Sequence, residues 1–125
     1  MNAVAQVLAV VEGLVLIAVG MLEAFQYRNP RWYRMFLIDP RDYAAVRLWT
    51  VNVGFYNAVM GVGLLVGVVL LWVGDPVVGR TLVYFICAAH VVLGAVLAIS
   101  EPRLRSSAIL QSGLPLLVIV VGFAF

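Results

Sequence analysis

The composition of this chain is typical of a membrane protein. Of its 125 residues, 65% are hydrophobic and 11% are charged, whereas soluble domains average about 45–50% apolar and about 25% charged residues, and a water-soluble chain of this length has too little interior to hide so much apolar surface. The net charge of +2 argues against a nucleic-acid partner, and the single cysteine, Cys87, excludes an intrachain disulfide.

Four segments are long and apolar enough to cross a membrane, because a spanning helix needs about 20 mostly apolar residues. They are residues 3–25, 43–73, 77–99 and 107–125. The first exceeds the apolar region of a cleavable signal peptide, about 7–15 residues, so we expect it to be retained. The sequence therefore predicts an all-α membrane protein, a four-helix transmembrane bundle forming a single domain over residues 1–125.

A long connection, residues 26–42, alternates arginines with aromatic residues, a pattern typical of the headgroup layer. We expect a short interfacial helix to begin in it after Pro30. The simpler interpretation is a basic loop anchored by its aromatic residues, and the alternative is a specific lipid or partner site. The lipid-headgroup candidates are Arg28, Arg31, Trp32 and Arg34.

The arginines also predict the orientation of the chain. Seven of the eight lie in or beside the first and third connections, and only Arg80 lies near the second. Cytoplasmic loops of membrane proteins carry an excess of basic residues. We therefore expect a multi-pass protein of the bacterial cytoplasmic (inner) membrane, with both basic connections in the cytoplasm and both termini extracytoplasmic.

Two carboxyl groups lie within the first helix. Glu12 and Glu23 are eleven residues apart, which places them on one face about 16 Å apart along the axis. Ionisable groups inside a membrane are costly and usually face protein or water. Glu12, near mid-membrane, is either a proton carrier or a protonated side chain that bonds a neighbouring helix. Glu23, near the cytoplasmic end, is expected to pair with Arg47.

The second helix carries a cluster of polar side chains. Asn52 and Tyr56 are four residues apart and share a face, and Asn57 lies about 100° round the helix. Such side chains either bond across helices or line a ligand pocket, and both interpretations remain open. Gly63 and Gly67 follow at a spacing that permits close approach of another helix.

The third and fourth helices add one histidine and one glutamine. His90 cannot supply both axial ligands of a haem, and with Cys87 it does not complete a zinc site, so neither a cofactor nor a metal is expected. A hydrogen-bonded structural histidine is the favoured interpretation, and a proton relay is the alternative. Gln111 lies in the cytoplasmic half, where a polar layer is predicted. The ligand-binding or proton-relay candidates are Glu12, Glu23, Asn52, Tyr56, Asn57, His90 and Gln111.

Three motifs carry a resemblance to a known family. They are M-L-E-A-F around Glu23, N-x-G-x-Y-N from Asn52 to Asn57, and Q-x-G-x-P from Gln111 to Pro115. In order and spacing the chain resembles a family of small bacterial membrane proteins known as domain of unknown function 1304. The family pattern has Gln after the first Asn, where this chain has Val53. The resemblance implies four spanning helices and no established activity.

The function classes follow from what the sequence contains and lacks. No phosphate-binding loop, H-E-x-x-H zinc motif or G-x-S-x-G nucleophile motif is present. We favour a lipid- or hydrophobic-ligand-binding or accessory interaction module without catalytic activity. Its expected partners are membrane lipids and a homo-oligomer or larger membrane complex. The alternative is a proton-coupled small-molecule transporter acting as a homodimer through Glu12, Glu23 and His90. An intramembrane lipid enzyme is the least supported class.

Overall fold

The computed structural model describes residues 1–124 and is helical throughout, with no strand in that range. Four of its five α-helices are long and apolar enough to cross a membrane, which confirms the predicted fold class. The predicted bounds agree within two residues, except that the predicted end at Phe125 lies outside the described residues. The helices are α1 (Ala3–Gln26), α2 (Tyr33–Phe36), α3 (Tyr43–Val73), α4 (Pro76–Ser100) and α5 (Arg105–Ala124).

Local capping chemistry sets where the long helices begin. The Asn2 side chain accepts a hydrogen bond from the Ala5 amide at 2.9 Å, at the start of α1. Asp75 accepts from the Val77 amide at 2.8 Å, and Pro76 occupies the first position of α4. The side-chain oxygen accepts a hydrogen bond from a first-turn amide that has no partner within the helix. Proline suits the first position because it has no N–H group that would need a partner there.

The connection between α1 and α3 contains the short helix predicted after Pro30. Two 3₁₀ turns, Pro30–Trp32 and Pro40–Asp42, flank α2. Leu37 follows α2 with a left-handed backbone, φ 54° and ψ 38°. Side chains larger than glycine seldom adopt that conformation. The chain therefore turns sharply at Leu37 and brings the residues on either side of it back against the bundle.

The four long helices run up and down in alternation. Asn2 Nδ2 donates to the Val121 carbonyl at 2.7 Å, and Trp72 Nε1 donates to Gln6 Oε1 at 2.5 Å. The start of α1 therefore lies at the same end of the bundle as the ends of α3 and α5. Helix α1 packs against α3 and α5, and α4 packs against the same two helices. Both basic connections lie at the opposite end.

The closest contact in the bundle is between the backbones of α1 and α3. A Cβ at Gly20 would meet the Gly54 carbonyl oxygen and lie 2.8 Å from the Ala58 amide nitrogen. A Cβ at Gly61 would lie 2.5 Å from the Gly13 carbonyl oxygen. In each helix the two glycines are seven residues apart and so share a face. Their missing side chains let the two backbones touch.

The predicted glycine spacing on α3 serves its contact with α4. A Cβ at Gly67 would lie 3.1 Å from the Gly79 carbonyl oxygen, and one at Gly63 would lie 3.1 Å from Ile86 Cδ1. The backbones of α3 and α4 therefore approach closely at Gly67, whereas Gly63 makes room for a side chain of α4.

The outside of the bundle is as apolar as its interior. A core that includes Leu64, Val68, Val83 and Val118 is buried between the helices. Large apolar side chains also cover the outer faces of all four long helices. Contiguous apolar surface on this scale marks a partner or a membrane. The composition and helix lengths identify the environment as lipid.

Candidate functional site

A cavity of about 520 Å³ lies between α1, α3 and α5, in the half of the bundle that carries the basic connections. It is bounded by the second half of α1 and the first halves of α3 and α5, and most of its wall is apolar. Its lining residues are Glu12, Val15, Leu16, Val19, Glu23, Met35, Phe36, Ile38, Trp49, Thr50, Val53, Asn57, Leu97, Leu104, Ser107, Ile109, Leu110, Gln111 and Leu114.

Besides Glu12, three of the predicted site residues line this cavity. Glu23 comes from α1, Asn57 from α3 and Gln111 from α5. Asn57 Nδ2 donates to Glu23 Oε2 at 2.6 Å. The two side chains are 34 positions apart in the sequence. The bond therefore ties α1 to α3 across the cavity wall.

The expected ion pair between Glu23 and Arg47 is wrong. Arg47 is exposed, and the ion pairs among residues 1–124 are Arg41 with Asp39 and Arg103 with Glu101. Arg47 lies ten residues before Asn57, about 15 Å nearer the end of the bundle along the axis of α3. The carboxyl group of Glu23 is therefore met by a neutral amide and by no cation.

We expect Asn57→Ala to lower the free energy of unfolding by about 1–2 kcal/mol, because the Glu23 carboxyl loses its hydrogen bond at the α1–α3 contact. The measurement is an SDS titration in mixed micelles followed by circular dichroism. Asn52→Ala is the matched control, since Asn52 is exposed and donates to Leu48 of its own helix at 2.7 Å. Equal losses in the two variants would remove the bond from any role in stability.

Glu12 lies deeper in the same cavity wall. It is 1% exposed, and its Oε2 atom is buried without a hydrogen-bond partner in the described part of the chain. Since Glu12 and Glu23 line one cavity, the prediction that they share a face of the first helix is confirmed. A buried polar atom without a protein partner is uncommon, and such an atom is usually satisfied by an enclosed water or a bound ligand.

His90 is buried in α4 and does not line the cavity. Its Nδ1 lies 2.9 Å from the Ile86 carbonyl oxygen. A carbonyl only accepts hydrogen bonds, so Nδ1 carries the proton and donates. This is the bond expected of a structural histidine, but it involves one ring nitrogen only, since His90 Nε2 is buried without a hydrogen-bond partner in residues 1–124. Within residues 1–124 no three His, Cys, Asp or Glu side chains are grouped to hold a metal ion.

Asn52 and Tyr56 lie on the outer surface, away from the cavity. Tyr56 is 68% exposed, and Asn52 bonds only its own helix. Both are two residues from Gly54, which faces α1, and two residues are about 200° of rotation. They therefore lie nearly opposite the α1 contact. Of the polar layer predicted from depth, Glu23 and Gln111 line the cavity together with Asn57, whereas Asn52 and Tyr56 lie outside it.

The connection before α3 covers the cavity, which the sequence did not indicate directly. Met35, Phe36 and Ile38 line the cavity, on either side of the turn at Leu37. The headgroup candidates from the same connection lie on the other side: Arg28, Arg31 and Arg34 are exposed, and Trp32 is half-buried. The apolar run that follows Arg34 is the one signal that this segment is amphipathic.

Two surface ion pairs lie in the basic connections. Arg103 donates from Nε and Nη2 to the two carboxyl oxygens of Glu101, each at 2.8 Å. These hydrogen bonds lower the pKa of Glu101 to about 2. Arg41 lies 3.6 Å from Asp39. Both pairs are outside the cavity, and none of the eight arginines in the described chain lines it.

Residues 10–123 match a family model described as a protein of unknown function (DUF1304). The chain belongs to this family. The resemblance drawn from the motifs of the first, second and last spanning helices is therefore confirmed. No curated protein and no solved structure matches the sequence. All residues that line the cavity, from Glu12 to Leu114, fall within the matched range of this DUF1304 protein.

Proposed function

We propose that this DUF1304 protein binds a lipid or another hydrophobic small molecule in the cavity between α1, α3 and α5, without catalysing a reaction on it. The cavity itself carries the proposal. Small-molecule sites are concave, about 300–1,000 Å³ in volume and mostly apolar, with a few polar groups that orient the ligand. The cavity has a volume of about 520 Å³ and an apolar wall interrupted by Glu12, Glu23, Asn57 and Gln111.

The amphipathic cover supports a ligand that enters from the membrane. Met35, Phe36 and Ile38 complete the apolar wall, while the arginines of the same connection are exposed. Exposed arginines beside an apolar face suit the headgroup layer. A ligand beneath this cover would pack its apolar part against Met35, Phe36 and Ile38. It could enter from and leave to the adjacent lipid.

The environment and orientation belong to the same proposal. The protein resides in the bacterial cytoplasmic membrane with both basic connections in the cytoplasm, which the arginine distribution supports. Both termini then lie on the extracytoplasmic side, since Asn2 and Val121 meet at the other end of the bundle. Membrane lipids and further copies of the chain are its partners.

Proton-coupled transport by a homodimer is the second candidate. It is supported by Glu12 and Glu23, which line one cavity about 16 Å apart along α1. It is weakened by His90, which lies outside the cavity wall and bonds its own helix. Ligand binding needs no proton to cross the membrane, so it ranks first.

Filling the cavity should remove the ligand. In Val19→Phe, a ring replaces a small side chain in the cavity wall, and we expect any small molecule that remains bound to wild-type protein to be lost. Native mass spectrometry of protein released from a mild detergent gives the measurement, because it reports bound mass and subunit number together.

The control makes the same substitution on the outside of the bundle. Val62 is exposed and does not line the cavity, so Val62→Phe should keep the bound mass. Wild-type protein without a discrete added mass, or with an added mass that Val19→Phe retains, would contradict binding in this cavity.

A further inference from the structure

We propose that the polar end of the ligand is a cationic amine and that Glu12 is its counter-ion, an inference that rests on ligand binding in the cavity. The amine belongs to an amphiphile whose apolar chain runs from Glu12 toward the cover formed by Met35, Phe36 and Ile38.

The first observation is that neither Glu12 nor Glu23 forms an ion pair with a basic side chain in the described chain. Ionisable groups within a membrane usually pair with an opposite charge or with backbone groups. In the described chain neither carboxyl of α1 has a basic partner, since none of the arginines lines the cavity and the two ion pairs lie in the connections. No ion pair joins either carboxyl to an arginine or to His90 within residues 1–124, so a ligand can supply the compensating positive charge.

The second observation is that the two carboxyls differ in their hydrogen bonding. Glu23 accepts a hydrogen bond from Asn57 at 2.6 Å, whereas Glu12 Oε2 is buried with no partner in residues 1–124. Glu12 is also the more enclosed of the two, at 1% exposed. An amine gains most where the acceptor is unsatisfied and water is excluded, because charge-assisted hydrogen bonds strengthen there.

The charge of the wall also disfavours an anionic ligand. An anionic headgroup would find neutral donors such as Asn57 and Gln111 in the cavity wall but no arginine, and the ionisable groups there are the two glutamates. A fatty acid would bring its own carboxylate beside Glu12, the group proposed as the counter-ion of an amine. Like charges at short range are unfavourable. An amphiphile with a carboxylate end should therefore bind weakly in this site.

The test compares probes of one chain length in protein reconstituted in nanodiscs. Octylamine, octanol and octanoate are titrated at neutral pH, and binding is followed by tryptophan fluorescence, which Trp49 in the cavity wall should report. Trp49→Phe assigns the signal, and empty nanodiscs correct for partitioning. We expect octylamine to bind at least about tenfold more tightly than octanoate, with octanol between them.

Substitution of the counter-ion completes the test. Glu12→Gln should abolish the preference for octylamine over octanoate, while Asp42→Asn, an exposed carboxyl outside the cavity, should retain it. Octanoate binding as tightly as octylamine, or a preference that survives Glu12→Gln, would overturn the amine assignment and leave cavity binding intact. Failure of all three probes to bind would overturn both.

Discussion

Gly20→Ala should lower the free energy of unfolding by about 1–3 kcal/mol, the usual cost of inserting a methyl group where packing leaves no room. A Cβ at this position would meet the Gly54 carbonyl oxygen and lie 2.8 Å from the Ala58 amide nitrogen. Both contacts are backbone atoms of α3, which cannot rotate away as a flexible side chain can. The two helices would have to move apart along their whole contact. SDS titration followed by circular dichroism measures the loss.

Gly113→Ala is the matched control, since a Cβ at Gly113 has no neighbour within 4 Å. There the substitution should leave stability unchanged or raise it by up to about 1 kcal/mol, because alanine restricts the unfolded chain and favours helix. If both alanine variants had the same stability, α1 and α3 would be free to separate, and their glycines would not determine the packing.

The spanning helices were predictable because their lengths and ends depend on short-range information. Hydropathy over about 20 residues sets each span. The Asp75-Pro76 pair then sets the start of α4, through a side-chain bond at 2.8 Å to the Val77 amide. Neither signal depends on how the helices pack against one another. Predicted and observed bounds therefore agree closely.

The rotation of each helix was less predictable, and it decides which polar groups meet. Depth alone suggested that Glu23 meets Arg47, but Glu23 meets Asn57. The rotation of α3 follows from Gly54 and Gly61, whose bare backbone must face α1. That contact turns Asn57 toward Glu23. The seven-residue spacing of the glycines is visible in the sequence and indicates which face of α3 packs against α1.

The cover of the cavity depends on the path of a connection. The chain reverses at Leu37, and the reversal brings Met35, Phe36 and Ile38 to the cavity. The sequence does not indicate this left-handed turn, because the residue is a leucine and not a glycine. Composition suggested a headgroup segment, and the exposed arginines agree with that interpretation. Which apolar side chains pack inward depends on contacts that form only when α1, α3 and α5 are assembled.

Glu12→Leu should raise the free energy of unfolding of the ligand-free protein by about 1–3 kcal/mol, the usual cost of a buried polar group that lacks a hydrogen bond. Glu12 is 1% exposed and its Oε2 has no partner in the described chain. A leucine of similar size would contact Ala9 and Leu16 on the same face without that cost. Glu12→Gln should give no such gain, because the amide is still polar. The measurement is the same SDS titration, made without added ligand.

Addition of octylamine should reverse this order of stability. A ligand that binds only the folded state adds about 2.7 kcal/mol when present at about one hundred times its dissociation constant. Wild-type protein should gain this stability, and Glu12→Leu should gain little, because its counter-ion is gone. If Glu12→Leu were instead less stable than wild type without ligand, the carboxyl would already have a stabilising partner such as an enclosed water. The presence of Glu12 would then need no ligand to explain it. A binding-site carboxyl is expected to lower the free energy of unfolding of the ligand-free protein and to raise that of the ligand-bound protein. Selection for function tolerates such a loss of stability in the ligand-free state.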